Sequence, residues 1–290
     1  MIKGLILAGG TGTRLSPTTQ VINKHFLSIY DKPMIYYPLS ILMCCKIKNI
    51  VIVCNEEDKS NFLKMLNDGK HLGLNISYVV QKKPEGIVNA IDSAKKYLMG
   101  NNVFCILGDN LFYGNQLTTL LRKEIRKIKK MTIFSYQVNN YNSYGMIEFA
   151  KSGSIKKIHE KPKKFFSSRA VTGMYLLDKS VLNNIHKIKK STRNEFEVTD
   201  LINLFVKNGL KETFLGRGYT WFDTGSYEDL LNASNFVRLI ESRQNLKIGS
   251  IEETAYQEGF INKNEYLKII KNLKNEDYKG YLRKILREKN

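Results

Sequence analysis

The chain has four cysteines but no Cys-x-x-Cys pair, and no apolar stretch near the ~20 residues that span a bilayer. Cys44, Cys45, Cys54 and Cys105 lie in apolar runs, so they read as reduced, buried small hydrophobes rather than disulfides or a zinc site. The N-terminus opens on a strand pattern, not on a basic region followed by an apolar segment. The expectation is a cytoplasmic protein with no secretory leader and no membrane contact. Internal repeats and low-complexity linkers are also missing.

Two well-known phosphate loops are absent as well. A P-loop ends in Gly-Lys-Ser/Thr, whereas Thr13-Arg14-Leu15 supplies neither the lysine nor the metal-binding hydroxyl in register. The dinucleotide fingerprint needs a third glycine three residues after the second, and from Gly12 that position is Leu15. A nicotinamide or flavin site is therefore not expected.

What is present begins in the first fifteen residues. The apolar run Leu5-Ile6-Leu7-Ala8 reads as a buried strand that empties into Gly9-Gly10-Thr11-Gly12-Thr13-Arg14-Leu15. Such a turn offers backbone N–H groups with no Cβ in the way, which suits an oligophosphate. Arg14, at the far end of the loop, brings a guanidinium fork for phosphate oxygens. The bland alternative is an ordinary glycine-rich turn between a strand and a helix.

The net charge of +19 over 290 residues invites a nucleic-acid reading. Against it, the lysines are dispersed apart from clusters at 123–130, 156–164 and 187–190, and no helix-turn-helix, zinc or RNA-binding signature is present. Small polyanionic substrates would be steered by the same field. The expected partners are small molecules, with no nucleic acid.

Short apolar strands are predicted at 4–8, 49–54, 77–80, 103–107, 131–137, 145–149, 173–177 and 211–215. Helical patterns at 33–45, 59–67 and 86–99 lie between the first of them. The alternation predicts an α/β fold, a mostly parallel, Rossmann-like sheet sandwiched by helices. From Glu228 the pattern turns helical. Residues 1–227 read as a catalytic domain, and 228–290 as a C-terminal helical extension packed on the same domain. In such sheets ligands bind beyond the carboxyl ends of strands, where Gly9-Gly10 and Gly108-Asp109 both fall.

Several ordered motifs carry a resemblance over nearly the whole chain. They are the glycine loop with Lys24, Tyr30-Asp31-Lys32-Pro33-Met34-Ile35-Tyr36-Tyr37-Pro38-Leu39, Leu107-Gly108-Asp109-Asn110, Glu160-Lys161-Pro162, Val171-Thr172-Gly173-Met174-Tyr175 and Trp221-Phe222-Asp223-Thr224-Gly225. Together they resemble the sugar-1-phosphate nucleotidylyltransferases, and within them the branch that uses dTTP and glucose 1-phosphate to make dTDP-glucose for deoxysugar synthesis. The resemblance implies in-line attack by a sugar 1-phosphate oxygen on the α-phosphorus, with no covalent intermediate, and a homotetramer.

It also implies roles. Gly9, Gly10, Gly12 and Thr13 would cradle the triphosphate, Gln81 and Gly86 would meet the base, and Arg14, Lys24 and Lys161 would carry phosphate charge. Asp109 and Asp223 would hold Mg²⁺, while Asn110, Gly145, Glu160, Thr172 and Arg193 would take the sugar phosphate. Each has a plainer reading: a solvated lysine, an Asx cap for Asp109, a helix N-cap region for Asp223, an exposed charge pair for Glu160-Lys161. His25, where the family more often has glutamine, is expected to pack or to lie near phosphate rather than to act as a base.

The chain departs from the family at several points. Ser28 stands for a proline, Gly86-Ile87-Val88-Asn89-Ala90 for Gly-Leu-Ala-Gln-Ala, and Asn194 for a glycine. A second, feedback site in the family uses a histidine and an arginine where this chain has Asn115 and Gln257, which implies weaker or altered end-product inhibition. Two alternatives remain: the same chemistry with another base or sugar 1-phosphate, and an inactive nucleotide-sugar-binding regulator.

Overall fold

The computed structural model describes residues 1–288. The strands are β1 (Ile2–Ala8), β2 (Ser28–Ile29), β3 (Lys32–Pro33), β4 (Asn49–Cys54), β5 (Asn75–Val80), β6 (Asn102–Leu107) and β7 (Asn110–Gly114). They continue with β8 (Met131–Gln137), β9 (Gly145–Phe149), β10 (Ile155–Glu160), β11 (Arg169–Leu177), β12 (Leu210–Leu215) and β13 (Tyr219–Asp223). Among the described residues nine of them form one sheet, ordered β10-β9-β11-β6-β1-β4-β5, with β8 pairing both β11 and β12.

The expected mostly parallel α/β sheet is present, and its centre β5-β4-β1-β6 is parallel throughout. Those strands are apolar on both faces because helices cover both. Along β1, Ile6 and Ala8 face a core layer with Leu39, Leu42 and Phe62. Leu5 and Leu7 face the opposite layer, with Val88, Ile91 and Leu98. The thiols of Cys45, Cys54 and Cys105 are buried and all four cysteines are free.

The predicted strands at 49–54, 131–137 and 145–149 match to the residue. The strand predicted at 173–177 starts earlier, at Arg169, because its register against β8 shifts between Val171 and Tyr175 and interrupts the pattern there. The polar edge strand β10, with only Ile158 buried, has no apolar alternation to betray it. The ribbon of β7 with β13, and the short pair of β2 with β3, also went unpredicted.

Beyond β13 the chain is helical, at Tyr227–Gln244, Ile251–Gln257, Lys263–Asn272 and Glu276–Glu288. Ser226 caps the first of these by accepting from Asp229 N at 3.1 Å. Its Ala233 and Val237 pack on Ile29, Met34 and Tyr37. Beneath that contact Lys32 and Glu241 form a buried ion pair at 2.9 Å. Ile251, Ala255, Tyr266 and Ile270 of the later helices join the main core. No helix among the described residues is long and apolar enough to cross a membrane.

Candidate active site

Parallel pairing puts the candidate residues together. β1 lies between β4 and β6, with Leu7 opposite Leu107 and Ala8 opposite Cys54. The carboxyl ends of these strands therefore release Gly9-Gly10 and Gly108-Asp109 side by side. Gln81 follows β5 and is held there by its backbone N–H, which donates to Cys54 O at 2.9 Å.

Two cavities open at these ends. The first, about 260 Å³, is walled by Gly9, Gly10, Lys24, His25, Gln81 and Gly86, among others. The second, about 240 Å³, is walled by Arg14, Asn110, Gly145, Glu160, Lys161, Thr172, Arg193 and Asp223. Asp109, Gly86, Ile87, Leu107 and Glu195 border both. Gly12 and Thr13 lie outside both walls. Gly12 instead shapes the loop, with φ at +63° and its carbonyl accepting from Thr19 Oγ1 at 2.8 Å.

Two glycines are required by close approach. A Cβ on Gly9 would sit 2.8 Å from Gln81 Oε1. Gly86 has φ at +99°, and a Cβ there would meet Phe196 O at 2.7 Å. Gln81 is 6% exposed, and its Nε2 donates to Asn89 Oδ1 at 2.6 Å.

Asp109 and Asp223 meet through the ribbon that the sequence did not reveal. β7 pairs antiparallel with β13 so that Asn110 is opposite Asp223. Thr224 locks the junction, its N–H and Oγ1 both donating to Asp109 O, at 3.0 and 2.7 Å. Lys24 pairs with Asp109. Burial opposes the ionisation of Asp109, but the charge of Lys24 and the hydrogen bonds from Lys24 and Asn110 outweigh it and hold the carboxyl below its usual range. Burial and the charge of Asp109 instead push Asp223 up to about 6, against the pull of Arg14 and Lys24. These two carboxylates could share a divalent cation whose other ligands are phosphate and water oxygens. No group of three or more His, Cys, Asp or Glu converges among the described residues as a ready metal cage.

Several predicted sugar-phosphate residues have their polar atoms engaged. Asn110 is 2% exposed; its Nδ2 donates to Asp109 Oδ1 at 2.9 Å, and its Oδ1 accepts from Gly173 N at 3.1 Å and Trp221 Nε1 at 2.7 Å. Asn110 thus ties β7, β11 and β13 together behind Asp109. The Thr172 hydroxyl donates to Phe134 O at 2.9 Å. Arg193 faces three carboxylates, Glu195 at 2.6 Å and Glu160 and Glu197 at 3.3 Å. Burial, then the neighbouring Glu197, raises the pKa of Glu160, with Arg193 and Lys161 opposing. Asn89, Glu195, Glu197, Trp221 and Thr224 complete the arrangement. Trp221 and Thr224 stand in a motif, and Asn89 in the 86–90 segment that departs from the family; Glu195 and Glu197 carry no local signal.

His25 is 1% exposed, with Nδ1 2.6 Å from Asn23 Oδ1, and burial drives its pKa down to about 3. It is a buried ring that also borders the first cavity. Asn115 and Gln257 wall neither cavity, and Gln257 Nε2 donates to Glu253 Oε1 at 2.9 Å.

The glycine loop, clustered cations and two carboxylates at one mouth lie within residues 3–239, which match the family model described as nucleotidyl transferase. The chain belongs to the nucleotidyl transferase family. This nucleotidyl transferase is 38% identical over 288 residues to a glucose-1-phosphate thymidylyltransferase from Neisseria meningitidis, covering 99% of this chain and 100% of that one. A Bacillus anthracis structure provisionally given the same name, in complex with sucrose, matches with TM-score 0.76 and 33% identity over 82% of this chain and 96% of its own. A UDP-glucose pyrophosphorylase complexed with UDP-glucose matches with TM-score 0.71 and 25% identity, over 83% of this chain and all of the other.

Proposed function

We propose that this enzyme transfers a thymidylyl group from dTTP to glucose 1-phosphate, giving dTDP-glucose and pyrophosphate. The observation that carries the reading is the meeting of two cavities at Asp109, one lined by glycine backbone and the other by Arg14, Lys161 and Glu160. The names of the full-length relatives support the substrate pair.

Asp109 and Asp223 are the residues that would hold Mg²⁺, which when bound would neutralise phosphate charge and orient the α-phosphate. The carboxylate pair fits such an ion: both side chains border the second cavity, and burial followed by the charge of Asp109 raises the pKa of Asp223, a cost that a shared cation would offset. Gly9 and Gly10 would approach the triphosphate with bare backbone, and Arg14 and Lys24 would balance the charge that develops on the leaving pyrophosphate. Lys161 would anchor the attacking sugar phosphate and Glu160 would accept from sugar hydroxyls. These groups act by position and charge, so in-line attack needs no nucleophilic side chain. The homotetramer, the cytoplasmic location and the deoxysugar pathway are part of the same proposal.

A second reading, transfer of a uridylyl group, draws on the likeness to the UDP-glucose pyrophosphorylase. Uracil offers the same polar edge as thymine. The test is pyrophosphate release from purified protein with Mg²⁺ and glucose 1-phosphate, run separately with dTTP, UTP, CTP, ATP and GTP. Turnover dominated by dTTP is expected. Preference for UTP would favour the second reading, and silence with all five would overturn both in favour of a binding protein.

A further inference from the structure

Gln81 cannot swing freely. Its backbone is pinned to Cys54 O, its side chain is buried, and its oxygen lies on the Gly9 side, where a Cβ would come within 2.8 Å. The amide nitrogen points the other way and donates to Asn89 Oδ1 at 2.6 Å. Asn89 sits on the helix Ile87–Ser93, whose start is fixed by Gly86 and by Val88 N donating to Phe196 O at 3.3 Å. Asn89 is not among the residues that wall the first cavity, so it acts on Gln81 rather than on a ligand.

We infer that Asn89 is a positioning residue for base selectivity, fixing the Gln81 amide in one of its two orientations. The inference rests on Gln81 as the residue that reads the base. An amide offers a carbonyl acceptor and an N–H donor side by side, and a half-turn about its last torsion exchanges them. Thymine and uracil present N3–H as donor beside the O4 acceptor. Cytosine presents N3 as acceptor beside the N4 amino donor. One amide orientation pairs with the first edge, and the turned amide pairs with the second.

A glutamine free to turn accepts either base at little cost. Turning Gln81 here would break its bond to Asn89 and set two amide oxygens against each other unless the Asn89 amide turns with it, so two side chains must move together to meet cytosine. The selectivity therefore resides in a residue one shell away from the base.

The experiment is the ratio of kcat/KM for dTTP to that for CTP, with glucose 1-phosphate and Mg²⁺, in the full chain. Asn89→Leu keeps the bulk and removes the acceptor, and the ratio is expected to fall about tenfold. Asn89→Ser, too short to reach Gln81, should lower it likewise if the leucine variant folds poorly. Asn89→Asp accepts only, so it should keep the ratio even where its charge weakens both nucleotides equally. Gln81→Leu is the control for the underlying reading. If it collapses the ratio while both Asn89→Leu and Asn89→Ser leave it intact, the role of Asn89 is overturned and Gln81 stands. If Gln81→Leu leaves the ratio intact, base reading at Gln81 is overturned, and this inference with it.

Discussion

On one side of Asp109 the cavity wall includes a stretch of bare main chain, where Gly9 and Gly10 leave β1 without side chains beside Lys24 and Gln81. On the other side the wall is charge on side chains, with Lys161, Glu160 and Arg193 facing Glu195 and Glu197 across a similar volume. The first suits a ligand held by backbone N–H groups, where any added methyl intrudes. The second suits a polyol phosphate read by ionised groups, whose mutual neutralisation sets how much charge is left for the ligand. Backbone walls tolerate changes of charge and fail on volume, whereas the charged wall does the reverse.

Asp109 belongs to both sides, so its loss should have the largest effect. Asp109→Asn is expected to lower kcat roughly a thousandfold, since it removes a proposed metal ligand and the partner of Lys24 together. Pyrophosphate release measures it, and turnover within tenfold of the parent would remove Asp109 from the proposed chemistry.

One methyl on each side separates the two walls. Gly9→Ala would bring a methyl within 2.8 Å of Gln81 Oε1, and should raise KM for the nucleotide more than for the sugar phosphate. Gly173→Ala would bring a methyl within 2.7 Å of Asn110 Cγ, displacing the amide that steadies Asp109. It should lower kcat by about tenfold while KM for the nucleotide changes little. Steady-state kinetics with each substrate varied in turn tests the contrast, and equal KM effects in both variants would erase it.

The smallest and subtlest contrast is in pH. His25, on the first wall, is held neutral with its pKa lowered to about 3 from 6.5, so the unfolded chain binds more protons between those values. Stability from this side should climb as pH rises across that window and be lost as pH falls through it. Glu160, on the second wall, has its pKa raised by burial and Glu197. The folded chain then binds more protons than the unfolded one above the usual carboxylate range, and stability from this side should fall as pH rises. Urea midpoints of the parent, His25→Gln and Glu160→Gln between about pH 4 and 7 should show slopes altered in opposite directions.

The first wall was largely legible before folding was considered. Gly9, Gly10 and Lys24 follow one another closely in the chain, and the apolar run ahead of them marks the strand end that exposes them. The second wall was legible only in part. Asn110 resembles a ligand group in sequence, yet its side chain is taken up by Asp109, Gly173 and Trp221. Arg193 resembles a free phosphate binder, yet three carboxylates surround it. No local pattern reports such partners, because they arrive from β7, β11 and β13 and from the segment around Glu195.

The sequence by itself determined a two-faced apolar sheet, the places where its strands end and the backbone freedom of the loops beyond them. Those features depend on neighbouring residues: alternation, glycine and the reach of a single side chain. Only the tertiary structure decided that Asp109 and Asp223 share one site, that Asn110 braces rather than reaches, and that Asn89 holds Gln81. Each of these depends on pairing between distant segments, as between Trp221 and Asn110, 111 residues apart. Such contacts form because burying the ribbon of β7 and β13 against the sheet satisfies its polar groups, and nothing within either segment alone encodes that partner.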